Sequence, residues 1–281
     1  MRLLVAVCEG DHDVAFVHRS ARSLGSFVPF DRPLGEYPIP LGAGSTGSRP
    51  AAQFLVTRAR RANPEFERID DAIRPRLPAL AGALYHDGSD TLLLLIRAHG
   101  MNRVEVAPFL NDLFDTFDAV AGTEITECAT AFFVDADDAG CEARAAEVAA
   151  SFGDSWGVAE LPPSTWVIGG RGPVGAFVFC APESTTGSLE DALAPLMKAH
   201  SAAYWAAAEV FIDNHATPDA KVRKAARHRL KAVITACGQF ERPGNPMSEM
   251  LRYKALPPAI FTTSPEALRV ALFLGGVPWT H

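Results

Sequence analysis

Three short, unbroken apolar runs constrain the fold of this chain more than any other feature. They cover residues 3–7 (LLVAV), 91–96 (TLLLLI) and 129–134 (ATAFFV), and each is followed by a segment with helical spacing of apolar residues. A strand buried on both faces has this unbroken pattern, and parallel strands need crossover helices between them. The alternation therefore predicts an α/β protein with a mainly parallel sheet and helices on both faces.

The remaining segments predict how this sheet is extended. Residues 164–169 and 175–180 have the pattern of two further strands, and the glycine-rich loop between them favours a hairpin over a dinucleotide site because a strand follows it. From residue 189 onward the pattern is mostly helical, up to a last helix near residues 265–273. We predict a main domain over residues 1–200, with an insert at about 27–90, and a helical C-terminal extension over residues 201–281 packed on it. The insert, rich in Gly, Pro and Ser at its start, is a lid, a partner surface or a mobile loop.

Composition limits the cellular setting and the partners. The chain has 281 residues, of which 48% are hydrophobic, but no apolar run approaches the roughly 20 residues that span a bilayer. No secretory signal is apparent, and the five cysteines are scattered without a CxxC pair, which predicts free thiols in a reducing cytoplasm. A net charge of −7 argues against electrostatic coating of nucleic acid, although a local basic face or a bound metal is compatible with it.

The first apolar run ends in an acidic turn, Glu9-Gly10-Asp11-His12-Asp13. Helix capping explains part of it, with Asp11 as the cap and Asp13 as a first-turn acid that interacts with the helix dipole. Capping does not explain Glu9, which directly follows the strand. Ligands of open parallel sheets bind at the carboxyl ends of the strands, so Glu9 and Asp13 are candidate site residues.

A second acidic segment, DADDAG at residues 135–140, follows the strand at residues 129–134. If this segment is extended, Asp135 and Asp137 point to the same side and offer paired oxygen ligands to a hard cation. The alternative is again a helix cap, with Asp137 or Asp138 capping a helix from Ala139 onward. Carboxylates at the ends of two parallel strands would repel one another unless a cation or a shared proton offset their charge. This repulsion favours a metal site.

These two motifs resemble the TOPRIM superfamily, which includes topoisomerases, bacterial primases and the overcoming-lysogenization-defect nucleases. VCEGDHDVAFV is similar to the TOPRIM opening of that nuclease branch, including the second acid at Asp13, and FFVDADDAG is similar to its D-x-D strand. TTGSLEDALAPLM is similar to the segment that carries a further glutamate, here Glu190, and KVRKAARHRLKAV to a late helix that contributes a lysine. The resemblance covers residues 1 to about 237.

The resemblance implies phosphoryl-transfer chemistry on nucleic acid with Mg²⁺ or Mn²⁺. Asp135 and Asp137 are the expected metal ligands, Glu9 is a general acid or base or a ligand of a second metal with Asp13, and Glu190 completes that second site. A lysine steadies the developing negative charge. Lys221 is the first choice for this role, and its rivals are Lys224, Lys231 and Lys254.

Two functions therefore remain open from the sequence. The first is a metal-dependent nuclease or related phosphotransferase in the cytoplasm, in the setting of bacterial defence or toxin systems that such domains share. The second is a non-catalytic TOPRIM-like module that binds nucleic acid, nucleotide or a partner protein. Tyrosines are few and no zinc-binding segment is present, which argues against a topoisomerase and a complete primase.

Overall fold

A twisted sheet organises the computed structural model, which describes residues 2–29, 79–98, 103–118, 125–152, 156–215, 226–241, 243, 251 and 258–280. Within these residues the sheet has seven strands in the order β2-β3-β4-β1-β5-β7-β6. The strands are β1 (Arg2–Cys8), β2 (Val28–Pro29), β3 (Ala79–His86), β4 (Thr91–Arg97), β5 (Glu127–Asp135), β6 (Thr165–Gly169) and β7 (Gly172–Phe179).

The central strands β4, β1, β5 and β7 are parallel, as their unbroken apolar sequences predict. The strands at both edges are antiparallel, β3 against β4 and β6 against β7. Cys8 of β1 pairs with Arg97 of β4 and Phe133 of β5, so the carboxyl ends of these three strands lie at one edge of the sheet. The predicted hairpin is confirmed, because Gly169 pairs with Gly172 across its turn.

Helices cover both faces of the sheet, so the predicted Rossmann-like α/β class is confirmed. The helices in the described residues are α1 (Asp11–Leu24), α2 (Arg103–Asp118), α3 (Cys141–Phe152), α4 (Leu189–His200), α5 (Ala202–His215), α6 (Ala226–Glu241), α7 (Pro258–Thr263) and α8 (Pro265–Gly275). Alternate residues of β1 enter opposite cores: Leu4 faces α1 and the C-terminal helices, and Leu3 faces α2 and α3. None of the helices in the described ranges has both the length and the apolarity to cross a membrane.

The C-terminal helices complete the core on the α1 face. The centroid of the Phe273 ring of α8 lies 5.8 Å from the centroid of the Phe133 ring. The Phe273 ring also stacks on the Trp166 ring, with a centroid distance of 4.7 Å. The Trp166 indole N–H donates to the Phe273 carbonyl at 2.9 Å, which satisfies a polar group that burial would otherwise leave unpaired. The described helices after residue 200 thus share one hydrophobic core with the sheet.

Both ends of the predicted insert at 27–90 belong to the sheet. Val28–Pro29 pairs with β3, and β3 forms the antiparallel neighbour of β4. The apolar residues of β3 were not recognised as a strand in the sequence because their apolar run, ALAGALY, is interrupted by a glycine and sits in the irregular segment. Residues 30–78, which make up the rest of the insert, lie outside the described part of the chain.

Candidate functional site

The turn from β1 into α1 places two carboxylates at the carboxyl edge of the sheet. The Glu9 backbone N–H donates to the Phe133 carbonyl at 3.3 Å, so Glu9 stays attached to β5 after its own strand has ended. The Asp13 carboxylate accepts from the Gly10 N–H at 2.7 Å and closes the first turn of α1. Asp13 is buried, with 7% of its surface exposed.

The prediction that Asp11 caps this helix is wrong. Gly10 is the cap residue, and Asp11 is the first helical residue. Its exposed carboxylate forms an ion pair with Arg97 at 2.6 Å, which joins the start of α1 to the end of β4. The side chain that pairs with the cap backbone is Asp13, three residues after Gly10.

The end of β5 holds the start of α4. Asp135 Oδ1 accepts from the backbone N–H of Leu189 at 2.8 Å, and this contact lays the first turn of α4 beside the strand end. Asp191 accepts from both the N–H and the hydroxyl of Ser188, at 2.8 and 2.9 Å, so the helix begins at a fixed point. Glu190 therefore lies in the first turn of α4 and is 5% exposed.

Asp137 differs from the sequence prediction. Its φ of 51° is left-handed, so the segment is not extended at this residue and the argument that Asp135 and Asp137 point to the same side is wrong. The Asp137 carboxylate is instead ion-paired with Arg144 of α3. Its backbone pairs in both directions with Gly187, at 2.7 and 3.0 Å. Helix α3 begins at Cys141, so a helix from Ala139 capped by Asp137 or Asp138 is also wrong.

Glu9, Asp13, Asp135 and Glu190, hereafter the acidic cluster, interact electrostatically. Burial raises the pKa of Asp13 well above its usual value, and the charges of Asp135, Glu9 and Glu190 raise it further against the opposing bond from Gly10. Burial also raises the pKa of Asp135 to about 7, with contributions from Glu190 and Glu9, although the Leu189 N–H lowers it. At neutral pH the cluster thus retains protons that isolated aspartates would have lost.

Two basic side chains reach the same oxygen of Glu190. Lys231 Nζ lies 3.0 Å and His12 Nδ1 lies 3.4 Å from Glu190 Oε1. Burial alone would raise the pKa of Glu190, but the hydrogen bond from His12 and the charge and hydrogen bond of Lys231 lower it to about 2. Burial lowers the pKa of Lys231, and Glu190, Asp13 and Asp135 together raise it, so this lysine stays charged beside the cluster.

Lys231 is the one predicted lysine that the described residues place at the cluster. The first choice, Lys221, and the rivals Lys224 and Lys254 lie outside the described part of the chain. The Lys231 side chain, 54% exposed, also lines a shallow, open surface depression of about 470 Å³ together with Ile212, Ala232, Thr235 and Ala236 of α5 and α6. The site thus has adjoining open space on the side of the C-terminal helices.

Sequence reasoning missed two features of the site. The bond from the Leu189 N–H to Asp135 depends on a contact across more than fifty residues, for which the sequence gives no local signal. The contact of His12 with Glu190 is equally remote in sequence. The Ser188-x-x-Asp191 pattern is a helix-start signature, and it agrees with the predicted start of helical sequence at residue 189, which puts Glu190 in the first turn.

The donor chemistry of the acidic cluster fits a hard divalent cation, since all its side-chain donors are carboxylate oxygens. Among the residues that the structure describes, no three His, Cys, Asp or Glu side chains are arranged as ligands of one ion. A ready three-residue shell is not required for Mg²⁺, which commonly takes one or two carboxylates and completes its octahedron with water and substrate phosphate. Asp13 and Asp135, whose protons a cation would displace, are the best-suited donors.

No protein-family model matches the chain. No curated protein matches it. A crystal structure of a hypothetical protein from Pyrococcus horikoshii OT3 is similar to it, with 14% sequence identity and a TM-score of 0.46 over 97% of this chain and 94% of that one.

Proposed function

We propose that this protein is a cytoplasmic, Mg²⁺- or Mn²⁺-dependent phosphoryl-transfer enzyme that cleaves phosphodiester bonds of nucleic acid. The observation that carries the proposal is the convergence of the acidic cluster from β1, α1, β5 and α4, with Lys231 of α6 beside it. Buried carboxylates that repel one another cost folding free energy, and a bound cation offsets that cost. The resemblance of the two acidic motifs to TOPRIM nucleases supports the substrate class and the setting of bacterial defence.

The residues have distinct proposed roles. Asp13 and Asp135 supply oxygen donors for the cation, and Glu190 joins them once its basic partners release it. Asp137 is paired with Arg144 and is not one of these donors. When bound, the cation polarises a phosphate oxygen and neutralises developing charge. Lys231, held charged by the cluster, steadies the negative charge that builds on the phosphate during transfer.

His12 contributes to the same site through Glu190. Its ring nitrogen Nδ1 lies 3.4 Å from Glu190 Oε1, the oxygen that also pairs with Lys231, and its side chain is 24% exposed. The exposed part of the ring is available to a bound substrate. We therefore assign His12 to substrate positioning, while Glu9 keeps the general acid or base role that the resemblance implies.

The proposal is tested by incubating the purified protein with supercoiled, linear and single-stranded DNA and with RNA, each with Mg²⁺ or Mn²⁺. Asp135→Ala and Glu9→Ala are assayed beside it, and Asp115→Asn, an exposed surface acid on α2, is the control. We expect cation-dependent cleavage that Asp115→Asn retains and the other two variants lose by at least a hundredfold, the scale seen when a key electrostatic group is removed. Cleavage that survives both site substitutions would overturn the site assignment.

One observation favours the second function, a non-catalytic binding module. Lys231 already forms an ion pair with Glu190, so this carboxylate needs no cation to offset its charge. A protein of this kind would bind nucleic acid or nucleotide without cutting it. Binding measured on the same substrates, with no cleavage under either cation, would favour this module over the enzyme.

A further inference from the structure

Arg97 ends β4 at the same edge of the sheet as the acidic cluster. It pairs in register with Cys8, the residue before Glu9, and the Ala98 N–H donates to the Cys8 carbonyl at 2.8 Å. Side chains alternate between the two faces of a strand, and Leu95 packs in the core on the α1 face. Arg97, two residues after Leu95, therefore lies on the α1 face as well.

The acidic cluster lies on this face too. Phe133 of β5 packs in the same core, so Asp135, two residues later, projects to the α1 side of the sheet. Asp13 belongs to α1 itself. Helix α4, which carries Glu190, packs in this core through Leu189. The cluster therefore has a basic neighbour at the end of β4, on the same face of the sheet.

The guanidinium of Arg97 has hydrogen-bond donors to spare. Nη1 donates to Asp11 Oδ1 at 2.6 Å, and this ion pair is weak because the Asp11 side chain is 53% exposed. Nε is buried and has no hydrogen-bond partner among the residues that the structure describes. A buried donor without a partner costs free energy. A ligand with two acceptor oxygens removes that cost, because it accepts from two guanidinium N–H groups at once.

We propose that Arg97 binds a backbone phosphate of the nucleic acid, next to the phosphate that is cleaved. Phosphate oxygens match the planar fork of a guanidinium, and the exposed Asp11 carboxylate is readily displaced by them. Strands β4 and β5 flank β1, so their ends lie about 10 Å apart, and Lys231 is held on the β5 side through Glu190. A nucleic-acid strand that crosses these ends meets Lys231 at one phosphate and Arg97 at another. The inference rests on the proposed function for its substrate, which it narrows to polynucleotides with neighbouring phosphates.

Fluorescence anisotropy of labelled oligothymidylate and oligouridylate tests this role, at several salt concentrations and with Ca²⁺ to limit cleavage. Arg97→Gln should bind about tenfold more weakly than the wild type, the scale of lost hydrogen bonds to a charged group. The slope of log K against log salt should become shallower by about 0.7, because one phosphate contact is lost. Arg171→Gln is the matched control and should bind like the wild type. Arg171 also forms an ion pair, with Asp115, but it lies in the β6–β7 turn at the opposite edge of the sheet.

Asp11→Asn separates phosphate binding from a purely structural ion pair. Loss of the Asp11 carboxylate frees the guanidinium, so affinity should rise about threefold. The same substitution in the Arg97→Gln background should lose most of this gain, whereas a general effect of the removed negative charge would persist there. Arg97→Lys keeps the charge without the planar fork, so it should keep the salt slope and lose affinity. The lysine variant decides the question if the glutamine variant folds poorly.

The proposal is overturned if Arg97→Gln and Arg97→Lys keep wild-type affinity and salt slope, or if neither oligonucleotide binds the wild type. Cation-dependent cleavage by the wild type beside either result would leave the proposed function standing. The predicted effects of Arg97 without any cleavage would instead support this phosphate contact in a protein that binds nucleic acid and does not cut it.

Discussion

Asp135 experiences opposing influences that set its behaviour with pH. It is surrounded by carboxylates and partly removed from water, yet it accepts a backbone hydrogen bond from Leu189. The carboxyl is thus held in place whether or not it carries charge. Its pKa of about 7 in the folded protein, against 3.8 in an unfolded chain, makes stability depend on pH.

We predict that Asp135→Asn stabilises the cation-free protein at pH 8. Because the pKa of Asp135 is raised in the folded protein, its carboxyl costs no stability below about pH 4. It destabilises the fold increasingly as the pH rises to about 7 and the stability of the protonated form is lost. An asparagine carbonyl still accepts from Leu189 and never ionises. Urea unfolding in EDTA should give a gain on the order of 4 kcal/mol at pH 8, from a shift of about three pKa units, and less than about 1 kcal/mol at pH 4. Equal gains at both pH values would contradict the shifted pKa.

Lys231→Met should destabilise the protein at pH 7 by about 1 kcal/mol, a modest value because the lysine is 54% exposed and solvent screens the pair. The folded pKa of Glu190 is lowered to about 2, so its contribution is present above pH 4.5 and is lost as pH falls. The difference between variant and wild type should therefore shrink toward pH 2. Lys198→Met, an exposed lysine on α4, is the control in the same urea titrations and should change little.

The sequence predicted which acidic residues lie near one another, but it did not predict the side chains that pair with them. Glu9, Asp13, Asp135 and Glu190 were all identified as candidates, and the structure brings them into one electrostatic group. The pairing of Asp137 with Arg144 was missed because it depends on a left-handed φ at a non-glycine residue, which sequence spacing does not reveal.

Gly187 connects the two elements that carry the site. Its φ is 114°, and a β-carbon there would lie 2.6 Å from the backbone nitrogen of Ala181. Its backbone also forms both bonds with Asp137. The loop before α4 thus needs a residue without a side chain at this position.

Gly187→Ala should destabilise the protein by about 2–3 kcal/mol, because alanine is strained at this φ and clashes with Ala181. The variant should also weaken binding of a divalent cation, since the start of α4 and Glu190 would shift. Gly275→Ala is the matched control: no atom lies within 4 Å of its added carbon, and alanine should favour α8 by about 0.5 kcal/mol. Thermal unfolding of both variants measures the difference, and equal effects would contradict the role of Gly187.

The helices and strands were largely predictable because the apolar residues in the sequence follow clear strand and helix patterns. The runs LLVAV, TLLLLI and ATAFFV became β1, β4 and β5. The sequence from residue 189 onward predicts mostly helix and gives no boundary at Ser201, where the structure divides the segment into α4 and α5. The break is marked by a polar residue within an alanine-rich run, where helical propensity alone predicts continuity.

The C-terminal helices contact both the acidic cluster and the hydrophobic core. Lys231 of α6 reaches Glu190, while Phe273 of α8 packs on the sheet that carries Asp135. The sequence predicted helices here but not their contacts, since long-range packing leaves no local pattern. A net charge of −7 is compatible with the proposed site, in which a lysine and a bound cation would supply the positive charge.

The central claim is that the acidic cluster binds a divalent cation, and calorimetric titration of Mn²⁺ tests it most directly. Wild-type protein and Asp135→Asn are titrated at pH 8, with Asp115→Asn as control. We predict saturable binding by the wild type and the control, with affinity at least tenfold lower in Asp135→Asn, a difference of about 1.4 kcal/mol. Absence of saturable binding by the wild type, or equal affinity in Asp135→Asn, would contradict the account.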